Sequence, residues 1–201
     1  MKTYAAKTPP HLITLIILTS TSVLAMNMFL PSLTNMAAEF SVSYSVMNIS
    51  VAGYLAITAI LQVILGPLSD RFGRRPVLLG SILIFSLASL FCALSSNIWI
   101  FLSLRILQGA IISGMTLSRA IVRDIMDPKD AVRVLGTIAM AMAVAPMLGP
   151  VLGGVFDEVF GWRAIFWFYL GLGLVLFVLT WADLGETNKN TSATFRKQFS
   201  T

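Results

Sequence analysis

Three groups of residues in this chain have types and spacings suited to chemistry. Between Gly66 and Leu79, the segment GPLSDRFGRRPVLL packs Asp70, Arg71, Arg74 and Arg75 into one tight turn, with Gly66 and Gly73 beside them. Asp70 and Arg74 stand four apart, so on a continuing helical turn they meet as an ion pair. At an interface such a pair contributes about 0–1 kcal/mol, too little to hold a fold together. It is enough to bias one conformation against another. The plainer alternative is a basic loop that only sets topology.

The second group is Arg105, Gln108 and Asn27, all inside apolar runs. An arginine there costs from about 2.5 to more than 10 kcal/mol, so it either faces a cavity with a polar partner or snorkels to an interface. Gln108 lies one turn from Arg105 on the same helical face. Counted from the outer ends of their runs, Arg105 and Asn27 both sit about 6–9 Å deep at 1.5 Å per residue. One polar cluster between the first and fourth runs is therefore expected. The third group is a stripe of Ala145, Gly149 and Gly153, recurring every four residues, with Pro146, Pro150 and Gly154 among them. Small residues at that period suit close helix contact, and the prolines predict a mid-span kink. Ordinary helix packing without gating is the alternative. The chain carries no metal-ligand cluster, catalytic triad or phosphate-binding loop, and His11 stands alone. No enzyme activity, cofactor or metal is therefore expected.

These groups need elements to position them, and composition limits the choice. Hydrophobic residues make up 57% of the chain and charged ones 11%, against roughly a quarter charged in soluble domains. A soluble basic domain is excluded, because the chain cannot cover its own surface in water. The net charge of +5 falls in short clusters between apolar runs and not along a basic face, which argues against a nucleic-acid partner. A single cysteine, Cys92, excludes an intramolecular disulfide.

Six apolar runs predict six membrane-spanning helices at about 12–31, 44–66, 76–95, 99–121, 132–156 and 163–182. Each is about 20 residues or a little more, enough to cross roughly 30 Å of hydrocarbon. The first run is too long for a signal peptide and reads as a retained helix. Lys2, Lys7, Arg71, Arg74, Arg75, Arg119, Arg123, Lys129, Arg133, Lys189, Arg196 and Lys197 all fall on one side of this arrangement. Arg163 stands on the other, beside Glu39, Asp157 and Glu158. That bias places both termini in the cytoplasm. The chain also echoes itself: Gly66, Asp70 and Phe72-Gly73-Arg74-Arg75 close the second span, and Gly153, Asp157 and Phe160-Gly161-Trp162-Arg163 close the fifth. Three spans lie between the copies, so they face opposite sides, as in an inverted three-plus-three repeat.

These residues resemble the signatures of the major facilitator superfamily. GPLSDRFGRRP resembles its turn between helices two and three, LRILQGAIISG (Leu104 to Gly114) its fourth-helix signature, and APMLGPVLGG (Ala145 to Gly154) the fifth-helix signature of its antiporters. NMFLPSL (Asn27 to Leu33) and SRAIVRDI (Ser118 to Ile125) are similar to the Bcr/CflA-type multidrug efflux subfamily. The resemblance covers essentially the whole chain, but only the first half of a transporter of about twelve helices. It implies an all-α membrane fold, with residues 1–182 as a six-helix bundle and 183–201 as a cytoplasmic tail resembling the start of the linker between halves.

The resemblance also implies roles. The turn carrying Asp70 would latch the cytoplasmic side in the outward-open state, with Asp124 as an acidic partner at the end of helix four. Helix five would pack against the missing half and help block leak. The chain departs from the subfamily at Asn27, where an aspartate usually stands. Asparagine bonds a guanidinium but carries no proton, and no Asp or Glu lies deep in any span. The expected function is efflux of small amphipathic or drug-like molecules by a secondary antiporter in a bacterial inner membrane, with the site of any proton coupling unidentified. Its partners would be the lipid bilayer, a small-molecule substrate, and a second six-helix half or second copy. A self-associating channel-like or accessory six-span protein is the alternative, and the DNA beyond Thr201 separates the two.

Overall fold

The computed structural model describes residues 10–187. Its eight α-helices are α1 Leu12–Asn27, α2 Leu33–Glu39, α3 Tyr44–Phe72, α4 Arg74–Leu94, α5 Ile98–Gln108, α6 Ile112–Ile125, α7 Pro128–Phe160 and α8 Arg163–Asp183. A 3-10 turn over Leu30–Ser32 joins α1 to α2, and another over Gly109–Ile111 joins α5 to α6. Six helical rods long and apolar enough to cross a membrane result, the first running Leu12–Glu39 and the fourth Ile98–Ile125.

The rods outrun the apolar runs at their polar ends. Hydropathy alone ends the first near Pro31, yet helix continues to Glu39. Proline lacks a backbone N–H and interrupts the α ladder, but it sits in the first turn of the 3-10 segment, where that donor is not needed. Leu33, Met36 and Ala37 then bury an apolar face that carries the helix onward. At the fifth, Pro128 starts α7, and the helix runs unbroken through Pro146 and Pro150 to Phe160. Asn97 starts α5 by accepting from the N–H groups of Trp99 (2.9 Å) and Ile100 (3.3 Å), offsetting two of the donors every helix start leaves open.

Packing follows the repeat. α4 lies along α8, α1 packs on α6 and α7, and α3 packs on α5 and α6. Exchanging spans one to three with four to six maps the first–fifth contact onto the fourth–second, and leaves the third–sixth and first–fourth contacts in place. The echoed turns share a backbone device as well. Gly73 (φ 96°) and Gly161 (φ 81°) are the positive-φ glycines among the described residues. Each ends a long helix with its N–H bonded 3.0 Å to the carbonyl of Ser69 or Asp157. With ψ of 149° and 158°, both take the positive-φ, extended-ψ conformation that is essentially confined to glycine, which has no Cβ to clash.

At the end away from the chain termini, Phe40, Phe101, Trp162 and Phe166 form an aromatic cluster with ring centroids 5.3–5.8 Å apart. Such pairs add about 0.5–1.5 kcal/mol each beyond the area they bury. That matters here because lipid tails are as apolar as the core, so packing rather than water exclusion holds membrane helices together. α3 and α7 are the least enclosed spans, each with 22% of its apolar window buried against 33–50% in the others. All nine carboxylates of the chain sit at helix ends or in turns.

Candidate functional site

The turn between α3 and α4 organises the face carrying the described chain ends. Arg74, 9% exposed, holds it together. Its Nη2 meets Asp70 Oδ1 at 2.6 Å, its Nε donates to Asp124 Oδ2 at 3.2 Å, and its Nη1 donates to Ser69 Oγ. One guanidinium thus fastens the end of α3 to its own helix start and to the end of α6. A planar fork reaches acceptors on well-separated residues in fixed directions, where a lysine's compact ammonium offers its three donors from a single point. Arg71 stays outside the network and lies 5.1 Å over the Phe72 ring. Gly66 offers its carbonyl to Ser69 Oγ at 2.8 Å, and nothing crowds its Cα.

Two acids at and just beyond the end of the sixth span join this face, and no local pattern announces either. Glu186 accepts from the backbone N–H of Arg74 (2.9 Å) and Arg75 (3.3 Å), capping α4 from 111 and 112 residues away. Gly73 leaves room for it: a Cβ there would stand 2.3 Å from Glu186 Oε2. Asp183 Oδ2 accepts from the His11 N–H (2.9 Å) and from Thr14 Oγ1 (2.6 Å), holding the start of α1 through one backbone and one side-chain donor. Carboxylates at helix starts also meet the positive end of the helix dipole. Arg75 closes the set by donating from Nη2 to the Trp181 carbonyl at 2.7 Å.

The opposite face repeats the arrangement with other residues. Glu39, at the end of the first span, accepts from Trp162 Nε1 at 2.6 Å and from Arg163 Nη1. In the echoed motif Trp162 takes the place of Arg74, and Glu39 that of Asp124. Asp157, the echo of Asp70, accepts from Asn35 Nδ2 at 2.7 Å.

Arg105 is completely enclosed, with 0% exposure. Its guanidinium carbon lies 3.8 Å from the Phe29 ring centroid, 4.8 Å from Tyr54 and 5.8 Å from Phe166. Nη1 donates to Gln108 Oε1 at 2.5 Å, and Gln108 Nε2 donates to Ser89 Oγ at 2.7 Å. Among the described residues, Nε and Nη2 find no hydrogen-bond partner, and neither does the buried Tyr54 hydroxyl. Arginine and glutamine therefore meet as expected, but neither the open cavity nor the snorkelling side chain is found. An aromatic box takes their place, its quadrupoles offsetting part of the desolvation cost.

Asn27 corrects the sequence reading more sharply. Its Nδ2 donates to the Val23 carbonyl of its own helix at 2.8 Å, and its Cβ packs toward Gly149 of α7. Depth matched that of Arg105, but azimuth did not. The first span breaks just beyond Asn27, and Phe29 is what it presents to the guanidinium. Gly149 and Gly153 likewise spend their small size inside the bundle: a Cβ on Gly153 would stand 1.6 Å from the Met28 carbonyl oxygen. Pro146 is exposed, Pro150 is half-buried, and a Cβ on Gly154 would meet nothing within 4 Å. The stripe is thus a seat for the break in the first span, and the exposed face of α7 is formed by Val144, Met147, Leu148, Val151 and Val155.

Comparison with known proteins agrees with the six-helix fold. The family described as Major Facilitator Superfamily matches over residues 15–200. The MFS-type transporter YdgK of Bacillus subtilis (strain 168) is 40% identical over 167 residues, covering 82% of this chain and 42% of the relative. A chloramphenicol resistance protein of Pseudomonas aeruginosa is 40% identical over 154 residues, covering 76% of this chain and 36% of the relative. The human organic anion transporter MFSD10 has the same fold, with a TM-score of 0.71 at 21% identity over 92% of this chain and 51% of that one. The chain spans less than half the length of these two curated relatives. With six helices of membrane-crossing length, it is an integral multi-pass protein of the inner membrane.

Proposed function

The chain belongs to the major facilitator superfamily, and on that premise we propose that it forms six helices of an alternating-access exporter of small amphipathic or drug-like molecules, working as a secondary antiporter. The observation that carries the reading is the three-way grip of Arg74 on Asp70, Ser69 and Asp124. It joins three helix ends at one face through contacts that a small relative movement would break, which is what a conformational latch requires. The names of relatives support the cargo class: a chloramphenicol resistance protein of Pseudomonas aeruginosa and multidrug resistance protein D of Escherichia coli.

In this reading the latched face is cytoplasmic, in keeping with its basic residues. The described residues form the bundle, including Asp183 and Glu186, and the rest of the 183–201 tail, which lies outside the described residues, would lead to a second six-helix half or serve a second copy. Arg105 and Gln108 orient substrate from within the bundle, without Asn27. Pro146, Pro150 and Gly154 allow α7 to flex against the partner half. With every carboxylate of the chain at a helix end, a proton-carrying carboxylate at mid-membrane depth belongs to the partner half.

Vesicle transport by the full-length protein under an imposed pH gradient tests the antiport assignment. Uphill substrate movement that follows the gradient and collapses with an uncoupler is expected, and gradient-independent movement sinks it. The latch has its own test. Asp70→Asn removes one charge from the grip and should cost up to about 1 kcal/mol, a roughly fivefold shift between states. Cysteine probes placed along α6 should then label faster from the chain-end face, and unchanged labelling would leave the turn only a topological role.

A further inference from the structure

Between α3 and α6, a polar pocket of about 320 Å³ opens beside the latch, lined by Gln62, Met115, Thr116, Arg119, Ala120 and Arg123. That volume lies within the usual range for small-ligand sites. Arg119 and Arg123 are four apart on α6 and present their guanidinium groups to one helix face. Among the described residues neither makes a hydrogen bond or ion pair. The nearest carboxylate in sequence, Asp124, is committed to Arg74 at 3.2 Å. Gln62 adds a side-chain amide from α3, and Thr116 a hydroxyl whose proton goes to the Ile112 carbonyl.

Two like charges one turn apart repel each other, and here they do so in a helix built to cross a membrane. Arg123 lies two residues from the end of α6 at Ile125, and Thr116 nine residues from it. The pocket thus extends from about 3 Å to about 14 Å into the rod. Among the described residues no carboxylate pairs with either arginine. We propose that this pocket is an anion site that takes a phosphate-bearing group, held by Arg119 and Arg123 with the Gln62 amide as a third donor. Guanidinium forks match phosphate oxygens in bidentate fashion, and basic pockets between membrane helices bind acidic headgroups. The same chemistry serves an anionic lipid headgroup or a free phosphate group, and the two arms of the experiment separate these sources. The inference needs neither the direction nor the coupling of transport.

The purified protein is titrated with inorganic phosphate in zwitterionic detergent, following its unfolding midpoint. In parallel it is placed in phosphatidylcholine vesicles with or without phosphatidylglycerol, and retained lipid is counted by native mass spectrometry. A response in the phosphate arm identifies a soluble anion; a response in the lipid arm alone identifies a headgroup. Arg119→Gln and Arg123→Gln should each weaken binding by about tenfold, and the double variant should abolish it. Replacing both with lysine should retain part of the affinity and, because it keeps both charges, also controls for folding. Lys129→Gln, an exposed residue outside the pocket, should change nothing. The proposal is overturned if neither arm responds, if the double glutamine variant binds like the wild type, or if Lys129→Gln weakens binding as much as Arg119→Gln.

Discussion

Gly153→Ala is expected to unfold the half-bundle or lower its thermal midpoint sharply, whereas Gly154→Ala, one residue on, should be neutral or stabilising. The added methyl at Gly153 would lie 1.6 Å from the Met28 carbonyl oxygen and 2.7 Å from its carbon. Those are backbone atoms, so no rotamer change relieves the overlap, and α1 and α7 must move apart. Overpacking typically costs about 1–3 kcal/mol and more where the obstacle is rigid. At Gly154 nothing stands within 4 Å of the new methyl, so only helix propensity operates, favouring alanine by about 0.8–1 kcal/mol. Unfolding of detergent-solubilised protein, followed by size-exclusion recovery after heating, reads both variants. Equal shifts for the two would remove the close seat of the first span on α7.

Arg105→Ala should reduce transport to background while the protein still inserts into the membrane. The truncation empties the space between the Phe29, Tyr54 and Phe166 rings and leaves Gln108 Oε1 without its donor. Part of any activity loss could then be structural, and Arg105→Met separates the two. Methionine fills similar volume without a charge, and replacing a buried ion by a well-packed apolar side chain is often neutral or stabilising. The expected pattern is an unchanged or raised unfolding midpoint together with background transport. Arg105→Lys keeps the charge but loses the planar fork that bonds Gln108 while lying on the Phe29 ring, and should remain well below wild type. Transport retained in Arg105→Met would take Arg105 out of the mechanism and leave it a packing residue.

What the sequence disclosed depended on how local each interaction was. Asp70 and Arg74 are an i,i+4 pair, so their contact follows from helix geometry. Asp124 is fifty residues from Arg74 and entered only through family resemblance. Glu186 and Asp183 reach helix starts more than a hundred residues back, and a lone acid after an apolar run carries no sign of such a partner. Asn27 shows a different limit. Residue counting along two rods gives depth, but two residues turn a helix through about 200°, so Asn27 and Phe29 face different neighbours. The six spans and the inverted repeat were readable because they rest on long apolar runs and a motif stated twice. The extension of the first span past Pro31 was not, because proline in a 3-10 turn permits what proline inside an α-helix forbids.

The clasps at both faces have a mechanical consequence. Arg74 with Asp124 ties α4 to α6 at one face, and Trp162 with Glu39 ties α8 to α2 at the other. On the proposed transport reading, a clasp at each rim would let the six helices turn together as one body for as long as both hold. Loosening either clasp would then let its rim lag behind the rest of the bundle.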